Sequence, residues 1–120
     1  MKAKELRIGN YILHEPTIDD WEEIIVTLHS LLQIDISPES YCGIPLTEEW
    51  LIKFGFEKPA HTWCGDKFHL TNYDRDNSLW CVAMNKNNAI IANIRYVHQL
   101  QNLYFALIGE ELTLKEKQDA

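Results

Sequence analysis

One segment near the end of the chain constrains the fold more than any other: Tyr96 to Gly109. At roughly 100° per residue its apolar side chains gather on one broad side of a helix. These residues are Tyr96, Val97, Leu100, Leu103, Tyr104, Leu107 and Ile108. Gly109 supplies the left-handed residue on which helices commonly end. The sequence therefore predicts a C-terminal amphipathic helix that packs on a larger apolar surface.

A second, shorter helix is predicted to begin after Thr47 and to end at Gly55. Thr47 is a good N-cap residue, and Glu48 and Glu49 lie where the helix dipole favours anions. Earlier in the chain, residues 5–13 predict a strand that bends at Gly9. Together the cap, the charges and the final glycine give this short helix clear boundaries.

The segment from residue 21 to residue 35 has two readings. Its apolar residues fit helical spacing, whereas Ile24, Ile25 and Val26 form a β-branched run that favours a strand. We expect a strand over about 23–29, followed by a strand or a short helical turn over 30–36. Residues 14–20 and 37–43 read as loops around Pro16 and Pro38.

The middle of the chain predicts a β-meander, because short apolar runs alternate with turn residues. The candidate strands are 56–63, 67–73, 79–84 and 89–94. The predicted fold is therefore α+β: an N-terminal antiparallel hairpin or partial small barrel, a short capped helix, a four-strand antiparallel meander, and a C-terminal helix packed on the sheet. We expect residues 1–109 to form one domain and the charged tail, residues 110–120, to fray, with docking of Leu112 and Leu114 as the alternative.

The charge balance of the chain argues against two classes of partner. With 11 basic and 18 acidic residues among 120, the formal charge is −7, and no run of basic residues exists to neutralise phosphates. No apolar stretch approaches the roughly 20 residues that span a bilayer, and the charged N-terminus lacks the apolar segment of a signal peptide. Three cysteines fit free thiols in a reducing compartment. These features predict a cytoplasmic protein that binds neither membranes nor, in general, nucleic acid.

Two kinds of reactive site are conceivable from residue types alone. A tetrahedral zinc site would use His61, Cys64, His69 and Cys81, but their spacing matches no standard zinc motif. A nucleophilic thiol would be Cys42 or Cys64, each before a glycine, although nothing in the sequence brings a histidine to either. Buried or solvated side chains are the simpler interpretation, and we predict no cofactor, no metal and no catalysis.

The other side of the last helix is the main candidate for a binding surface. It carries His98, Gln101, Asn102 and Phe105 within a sector of roughly 100°. A phenylalanine among amides and an imidazole is unusual on a face that meets only water. One interpretation is that the meander covers this side too, which makes the helix central. The other is a docking surface for another protein or for a second copy of the chain.

Three blocks resemble an uncharacterised small protein family of Bacteroides-type gut bacteria and their phages or prophages. The blocks are Leu6 to Asn10 (LRIGN), Gly43 to Phe56 (GIPLTEEWLIKFGF) and Tyr96 to Leu107 (YVHQLQNLYFAL). The resemblance implies a bacterial cytoplasmic or mobile-element setting and favours β-structure around Ile24 to Leu28. It implies no particular activity.

The function that these features favour is that of a phage or mobile-element accessory protein that acts by protein–protein interaction. The first alternative is a nucleic-acid-associated small-barrel protein, which needs a local basic patch. The candidates for such a patch are Lys2, Lys4 and Arg7, or Lys53, Lys58 and Lys67. The second alternative is a metal-binding or enzymatic domain built on the histidines and cysteines named above.

Overall fold

The computed structural model describes residues 1–58, 62–65, 67–72 and 79–115. Within this part of the chain the α+β class is confirmed, with two antiparallel sheets and a helix at the C-terminal end. The strands are β1 (Tyr11–Thr17), β2 (Asp20–Ile25), β3 (Tyr41–Gly43), β4 (Trp63–Cys64), β5 (Phe68–Asn72), β6 (Trp80–Met84) and β7 (Ile90–Ile94). The helices are α1 (Leu28–Ile36), α2 (Glu48–Lys53) and α3 (Val97–Ile108), and short 3₁₀ turns lie at Ala3–Glu5 and Pro38–Ser40.

The first sheet has the order β2-β1-β3, so β1 is its central strand. The side chains of β1 alternate between two environments, as those of a strand must. Ile12 points into a small apolar cluster with α1, whereas Tyr11 and Leu13 pack against the larger cluster of the C-terminal half. The Tyr11 ring lies 5.5 Å from the Trp50 ring of α2, centroid to centroid. One strand therefore serves both cores.

The second sheet confirms a four-strand antiparallel meander, with the order β4-β5-β6-β7. The first strand was wrong in its bounds: it was predicted over 56–63, whereas β4 covers Trp63–Cys64 and Glu57 forms only an isolated bridge to Cys64. Trp80 on β6 is buried, and its indole N–H donates to the carbonyl of Leu46 at 2.9 Å. The chain between β3 and α2 reaches the start of α3 through an antiparallel bridge of Pro45 and Tyr96. This bridge joins the end of the first sheet to the end of the second.

Several N-terminal predictions were wrong in their boundaries. The strand expected over 5–13 begins only at Tyr11, because Gly9 adopts a left-handed φ of 99° in a turn before it. Residues 14–20 are mostly strand rather than loop, with Pro16 accommodated where the register of β1 and β2 shifts. Residues 37–43 contain β3, which pairs with β1.

The ambiguous segment divides between the two readings. Ile24 and Ile25 belong to β2, as the β-branched run indicates, and the strand ends before Thr27. Thr27 then caps α1: its hydroxyl accepts from the backbone N–H of Ser30 at 3.2 Å, and the Ser30 hydroxyl accepts from the N–H of Thr27 at 3.3 Å. Because of this capping box, only two residues separate α1 from the end of β2.

The two later helices lie where they were predicted. Helix α2 begins after Thr47 and is followed by Gly55 with a φ of 90°, although the Thr47 side chain makes no capping bond. Helix α3 ends at Gly109 in the left-handed conformation. Its first turn is held by Gln99, whose side-chain oxygen accepts from the backbone N–H of Tyr96 at 3.1 Å.

The described part of the tail is docked rather than frayed. Leu112 is buried in the larger core, and the backbone N–H of Lys115 donates to the carbonyl of Lys53 at 2.8 Å. Glu111 forms an ion pair with Arg7. Apolar burial of one leucine thus holds residues 111–115 against the body of the protein, and residues 116–120 lie outside the described residues.

Candidate functional site

The polar side of α3, our predicted docking surface, packs inside the protein against the N-terminal segment. We call this contact the joint. His98 is 2% exposed and Gln101 is 3% exposed, so neither is available to another molecule. The covering element is the N-terminal segment from Glu5 to Tyr11, not the meander. The helix is central, as the alternative interpretation held, but its second partner was misidentified. Helical periodicity reveals a face and does not reveal what lies on it.

Gln101 occupies the centre of this joint. Its side-chain oxygen accepts from the backbone N–H of Tyr11 at 2.8 Å, and its amide nitrogen donates to the carbonyl of Gly9 at 3.1 Å. Asn102 acts beside it: its oxygen accepts from the Asn10 amide at 2.9 Å, and its nitrogen donates to the carbonyl of Glu5 at 3.0 Å. These bonds satisfy the polar groups of the turn at Gly9, which β1 needs in order to start. The amides are therefore structural.

Phe105 is the most exposed member of the predicted face, at 39%. The Arg7 guanidinium lies over its ring at 3.8 Å from the centroid, and the same guanidinium pairs with Glu111. A cation over an aromatic ring is a favourable contact. Phe105 thus closes the edge of the joint, and the unusual phenylalanine among amides has an internal partner.

Beside the joint lies a cavity of about 210 Å³ between β3 and the first turn of α3. The side chains and backbone that line it include those of Glu5, Tyr41, Cys42, Gly43, Tyr96 and His98. Gly43 makes this approach possible: a Cβ there would lie 2.7 Å from the Tyr96 ring and 3.0 Å from Cε1 of His98. One weak signal of this site is visible in the sequence, namely the glycine directly after Cys42.

The structure brings Cys42 and His98 to one cavity, which the sequence alone did not reveal, yet it does not make them a catalytic pair. Burial lowers the pKa of His98, an effect that the Glu5 carboxylate partly opposes, so the imidazole is neutral at pH 7. Burial also raises the pKa of the Cys42 thiol. Nδ1 of His98 has no hydrogen-bond partner among the described residues. A nucleophilic thiolate needs the opposite shift and a nearby base.

Three of the four residues proposed for zinc binding can be placed in the structure, since His61 lies outside the described residues. Cys64 and His69 are register partners on β4 and β5, and Cys81 lies on the same side of β6. His69 is instead hydrogen-bonded through Nδ1 to Asn85 at 2.9 Å, and the Cys64 thiol donates to the carbonyl of Thr62 at 3.7 Å. In the described ranges, no three His, Cys, Asp or Glu side chains are placed to hold a metal ion.

The basic side chains considered for nucleic-acid binding are divided between solvent and internal partners. Arg7 is engaged with Phe105 and Glu111, as described above. Lys58 pairs with Glu48 at 3.3 Å, and Lys53 lies 4.6 Å from the centre of the Trp50 ring. Lys2, Lys4 and Lys67 are exposed. Half of the six cations therefore already face acidic or aromatic groups, which weakens both candidate patches.

An exposed apolar row lies on α1. Leu28, Leu32 and Ile36 are exposed by 66%, 60% and 73%, and they are spaced four residues apart. Residues at this spacing lie one above another on a single helix face. Sequence reasoning missed this face because it favoured a strand over 23–29 and left 30–36 as a strand or a short helical turn, whereas α1 spans Leu28–Ile36. The signal that reveals it is the Thr27–Ser30 capping box.

Comparison of the chain with protein-family models, with curated proteins and with solved structures finds no match. None of the helices in the described ranges has the length and apolar character that crossing a membrane requires.

Proposed function

We propose that this chain is a non-catalytic accessory protein that binds another protein through the outer face of α1. The observation that carries the proposal is the exposed stripe of Leu28, Leu32 and Ile36. Single exposed apolar residues are common on proteins, whereas a continuous apolar row along a helix is typical of a contact surface. Helix-in-groove recognition uses anchors at this kind of spacing.

The stripe is not needed to hold α1 in place. The opposite face of the helix inserts Ile34, which is fully buried, and packs Leu31 at the edge of the smaller core. The Thr27–Ser30 capping box fixes the start of the helix. Because the inner face and the cap account for the helix, the apolar outer face is free to serve binding.

The surroundings of the stripe indicate the chemistry of the partner. Asp35 and Glu39 are exposed beside it, and the whole chain carries a formal charge of −7. A partner with an apolar groove and a basic rim complements this surface in both hydrophobicity and charge. Charge complementarity of this kind also speeds association at low salt.

The size of α1 favours a different protein over a second copy of this chain. A helix of nine residues is about 13 Å long and about 10 Å wide. Two such faces in contact bury far less than the roughly 1,200 Å² of a stable specific interface. The partner must therefore also contact surface beyond the outer face of α1.

The setting we propose is the cytoplasm of a bacterium that hosts a phage or mobile element, as the family resemblance of the three sequence blocks implies. Cys42, Cys64 and Cys81 are all free thiols, which fits a reducing compartment. The neutral, mutually unbonded Cys42 and His98 support a role without catalysis.

A pair of matched variants tests the proposal. Leu32→Lys places a charge in the middle of the stripe, whereas Ile52→Lys makes the same kind of change on α2 at an equal exposure, 60% against 61%. Affinity isolation from a Bacteroides-type host should recover a partner with the wild type and with Ile52→Lys but not with Leu32→Lys. With the purified partner, Leu32→Lys should raise Kd by at least about tenfold, the effect of losing one buried apolar anchor.

The proposal is wrong if the partner binds Leu32→Lys as tightly as the wild type. It is equally wrong if no protein distinguishes the two variants, because the stripe would then have no role in recognition.

A further inference from the structure

Strand β2 forms one edge of the first sheet. Within the described residues, β1 is the only strand that pairs with it. Residues 20–23 and Ile25 of β2 are exposed, so the strand lies at the surface of the protein. An edge strand presents unpaired N–H and C=O groups, to which a strand of another chain can add.

The hydrogen bonds next to β2 show which of its backbone groups face outward. The N–H of Val26 donates to the carbonyl of Asn10 at 2.8 Å, and the carbonyl of Val26 accepts from the N–H of Gly9 at 2.8 Å. Successive residues of an edge strand direct their backbone groups alternately toward the sheet and away from it. The residues whose groups face away are therefore Trp21, Glu23 and Ile25. No partner for these outward groups is present among the described residues.

The edge of the second sheet is protected in two ways that β2 is not. Ile91 is an extra residue in β7 where the register against β6 shifts, and a bulge on an edge strand hinders the addition of another strand. The chain after β7 is paired, since the carbonyl of Arg95 accepts from the N–H of Leu46 at 2.9 Å. In the first sheet the extra residue falls on β1, opposite Trp21, so β2 itself stays regular.

The hairpin of β1 and β2 is negatively charged. Apart from His14, which lies 3.5 Å from a carboxylate oxygen of Glu22, its charged side chains are all acidic. They are those of Glu15, Asp19, Asp20, Glu22 and Glu23. The chain contains no lysine or arginine between Arg7 and Lys53. A cationic strand complements this charge.

The same charge disfavours a second copy of this chain as the added strand. Antiparallel pairing of two β2 strands about Glu23 would place this carboxylate directly opposite its own counterpart. Like charges at opposed positions destabilise a sheet. The occupant is therefore a different chain.

Exposed apolar side chains flank the central carboxylate of β2. Trp21, Glu23 and Ile25 point to one face of the sheet, because side-chain direction alternates along a strand. Trp21 is 40% exposed and Ile25 is 55% exposed. A strand with a cationic residue between two apolar ones, at every second position, matches this order across the edge.

We infer that the outer edge of β2 binds an extended basic segment of another protein, which adds to the first sheet as an antiparallel strand. The backbone of the segment bonds to the outward N–H and C=O groups, and a lysine or arginine lies opposite Glu23 between two apolar residues. In this mode of recognition the main-chain bonds give affinity and the side chains give specificity. The site uses a different element from the α1 face and does not depend on it.

A short synthetic peptide with blocked ends and the central sequence Val-Thr-Lys-Lys-Val is the probe. In antiparallel pairing its two lysines lie opposite Glu23 and Glu22. Nuclear magnetic resonance should show saturable binding, with slower hydrogen exchange at the N–H groups of Trp21, Glu23 and Ile25. The N–H of Glu22 faces β1 and should be unaffected. A peptide with glutamate in place of both lysines should bind at least about tenfold more weakly, because two attractive pairs become repulsive.

Methylation of the peptide nitrogens separates strand addition from attraction between charges alone. The N–H of the first lysine faces β2, whereas the N–H of the second lysine faces away. Methylation at the first should raise Kd by at least about tenfold, because a hydrogen bond is lost and the methyl group occupies its place. The same change at the second lysine keeps the charge and should alter Kd by less than about threefold.

A matched pair of protein variants locates the charge effect. Glu23→Lys should reverse the preference, so that the glutamate peptide binds more tightly than the lysine peptide. Glu110→Lys makes the same change of charge at an exposed residue after α3 and should keep the wild-type preference. Circular dichroism verifies that both variants are folded.

The inference is overturned if neither peptide binds the wild type, since the carboxylates of β2 would then serve only to prevent self-association. It is also overturned if methylation at the first lysine weakens binding no more than methylation at the second. Protection of the Trp21 N–H that rises with protein concentration, without peptide, would make a second copy the occupant and would contradict the inference. These outcomes leave the α1 face untouched, because Leu32→Lys tests it separately.

Discussion

Residues 1–43 and residues 44–115 bury their apolar side chains in different ways. The C-terminal region gathers fifteen buried apolar residues from α2, the meander, α3 and Leu112 into one core. The N-terminal region buries five, namely Leu6, Ile12, Val26, Ile34 and Tyr41. It also leaves the row of Leu28, Leu32 and Ile36 in solvent. The larger region thus has the larger core, whereas both regions keep several large apolar side chains on the surface.

The difference explains why α3 has a polar second side. A core of five residues is too small to stabilise a sheet and a helix alone. The N-terminal region is held instead by Tyr11 and Leu13, which reach into the larger core, and by the amides of Gln101 and Asn102. Directional hydrogen bonds fix the position of the smaller region without further apolar burial.

The largest expected effect is the loss in free energy of unfolding when one buried side chain is shortened in each core. Leu70 and Ile34 are both fully buried, one in each core. Leu70→Ala should lower the free energy of unfolding by about 4 kcal/mol, and Ile34→Ala by about 2–3 kcal/mol, because the smaller core collapses more easily around a lost side chain. Urea unfolding followed by tryptophan fluorescence measures both. Equal losses would show that the two cores do not differ as described.

The next effect concerns the joint. Gln101→Ala should lower the free energy of unfolding by about 2–3 kcal/mol, since it leaves the Tyr11 N–H and the Gly9 carbonyl without their partner. Gln33→Ala on α1 is the control, because the Gln33 side chain makes no hydrogen bond within the described residues. That change should cost less than about 0.5 kcal/mol. Similar values for the two variants would remove the structural role of Gln101.

A smaller effect is a dependence of stability on pH at the edge of the joint. Burial lowers the pKa of His98 in the folded protein, so in acid the unfolded state binds a proton that the folded state does not. The contribution of the neutral His98 to the free energy of unfolding should be fully present above about pH 6.5, the usual pKa of histidine. It should decrease as the pH falls from there to the lowered pKa of the folded protein. In thermal unfolding as a function of pH, His98→Gln should lose this part of the slope. An unchanged slope would mean that His98 is not buried as a neutral ring.

The smallest effect is expected on the α1 face. Leu32→Lys should change the free energy of unfolding by no more than about 0.5 kcal/mol, as should Ile52→Lys, because both side chains are largely exposed. Chemical denaturation of the two variants provides the measurement. A loss of 2 kcal/mol or more for Leu32→Lys, a value of the order seen for core residues, would show that the stripe belongs to the fold rather than to binding.

The parts of the fold that follow from local pattern were predictable from the sequence. The apolar periodicity and Gly109 define α3, and the residues from Thr47 to Gly55 define α2. The alternation of apolar runs and turns gives the order of the meander. Each of these signals depends on residues that are close together in the sequence.

The misjudged features depend on contacts between distant segments. Gln101 and Gly9 are 92 residues apart, and nothing in either position indicates that they are bonded. The cavity exists because Gly43 lets β3 approach Tyr96, and this approach too is invisible in the sequence. The start of α1 could have been predicted from the sequence, since Thr27 and Ser30 are residues typical of a helix cap. The β-branched run before it outweighed that signal.

Hydrogen exchange at the backbone N–H of Tyr11 tests most directly the claim that α3 holds the N-terminal region in place. This N–H donates to the Gln101 side chain, so its protection reports on the joint itself. In the native wild-type protein we expect exchange to be slowed by on the order of 1,000-fold or more relative to an unstructured peptide. Exchange of Tyr11 at the unprotected rate, while Val82 in β6 remains protected, would contradict the account.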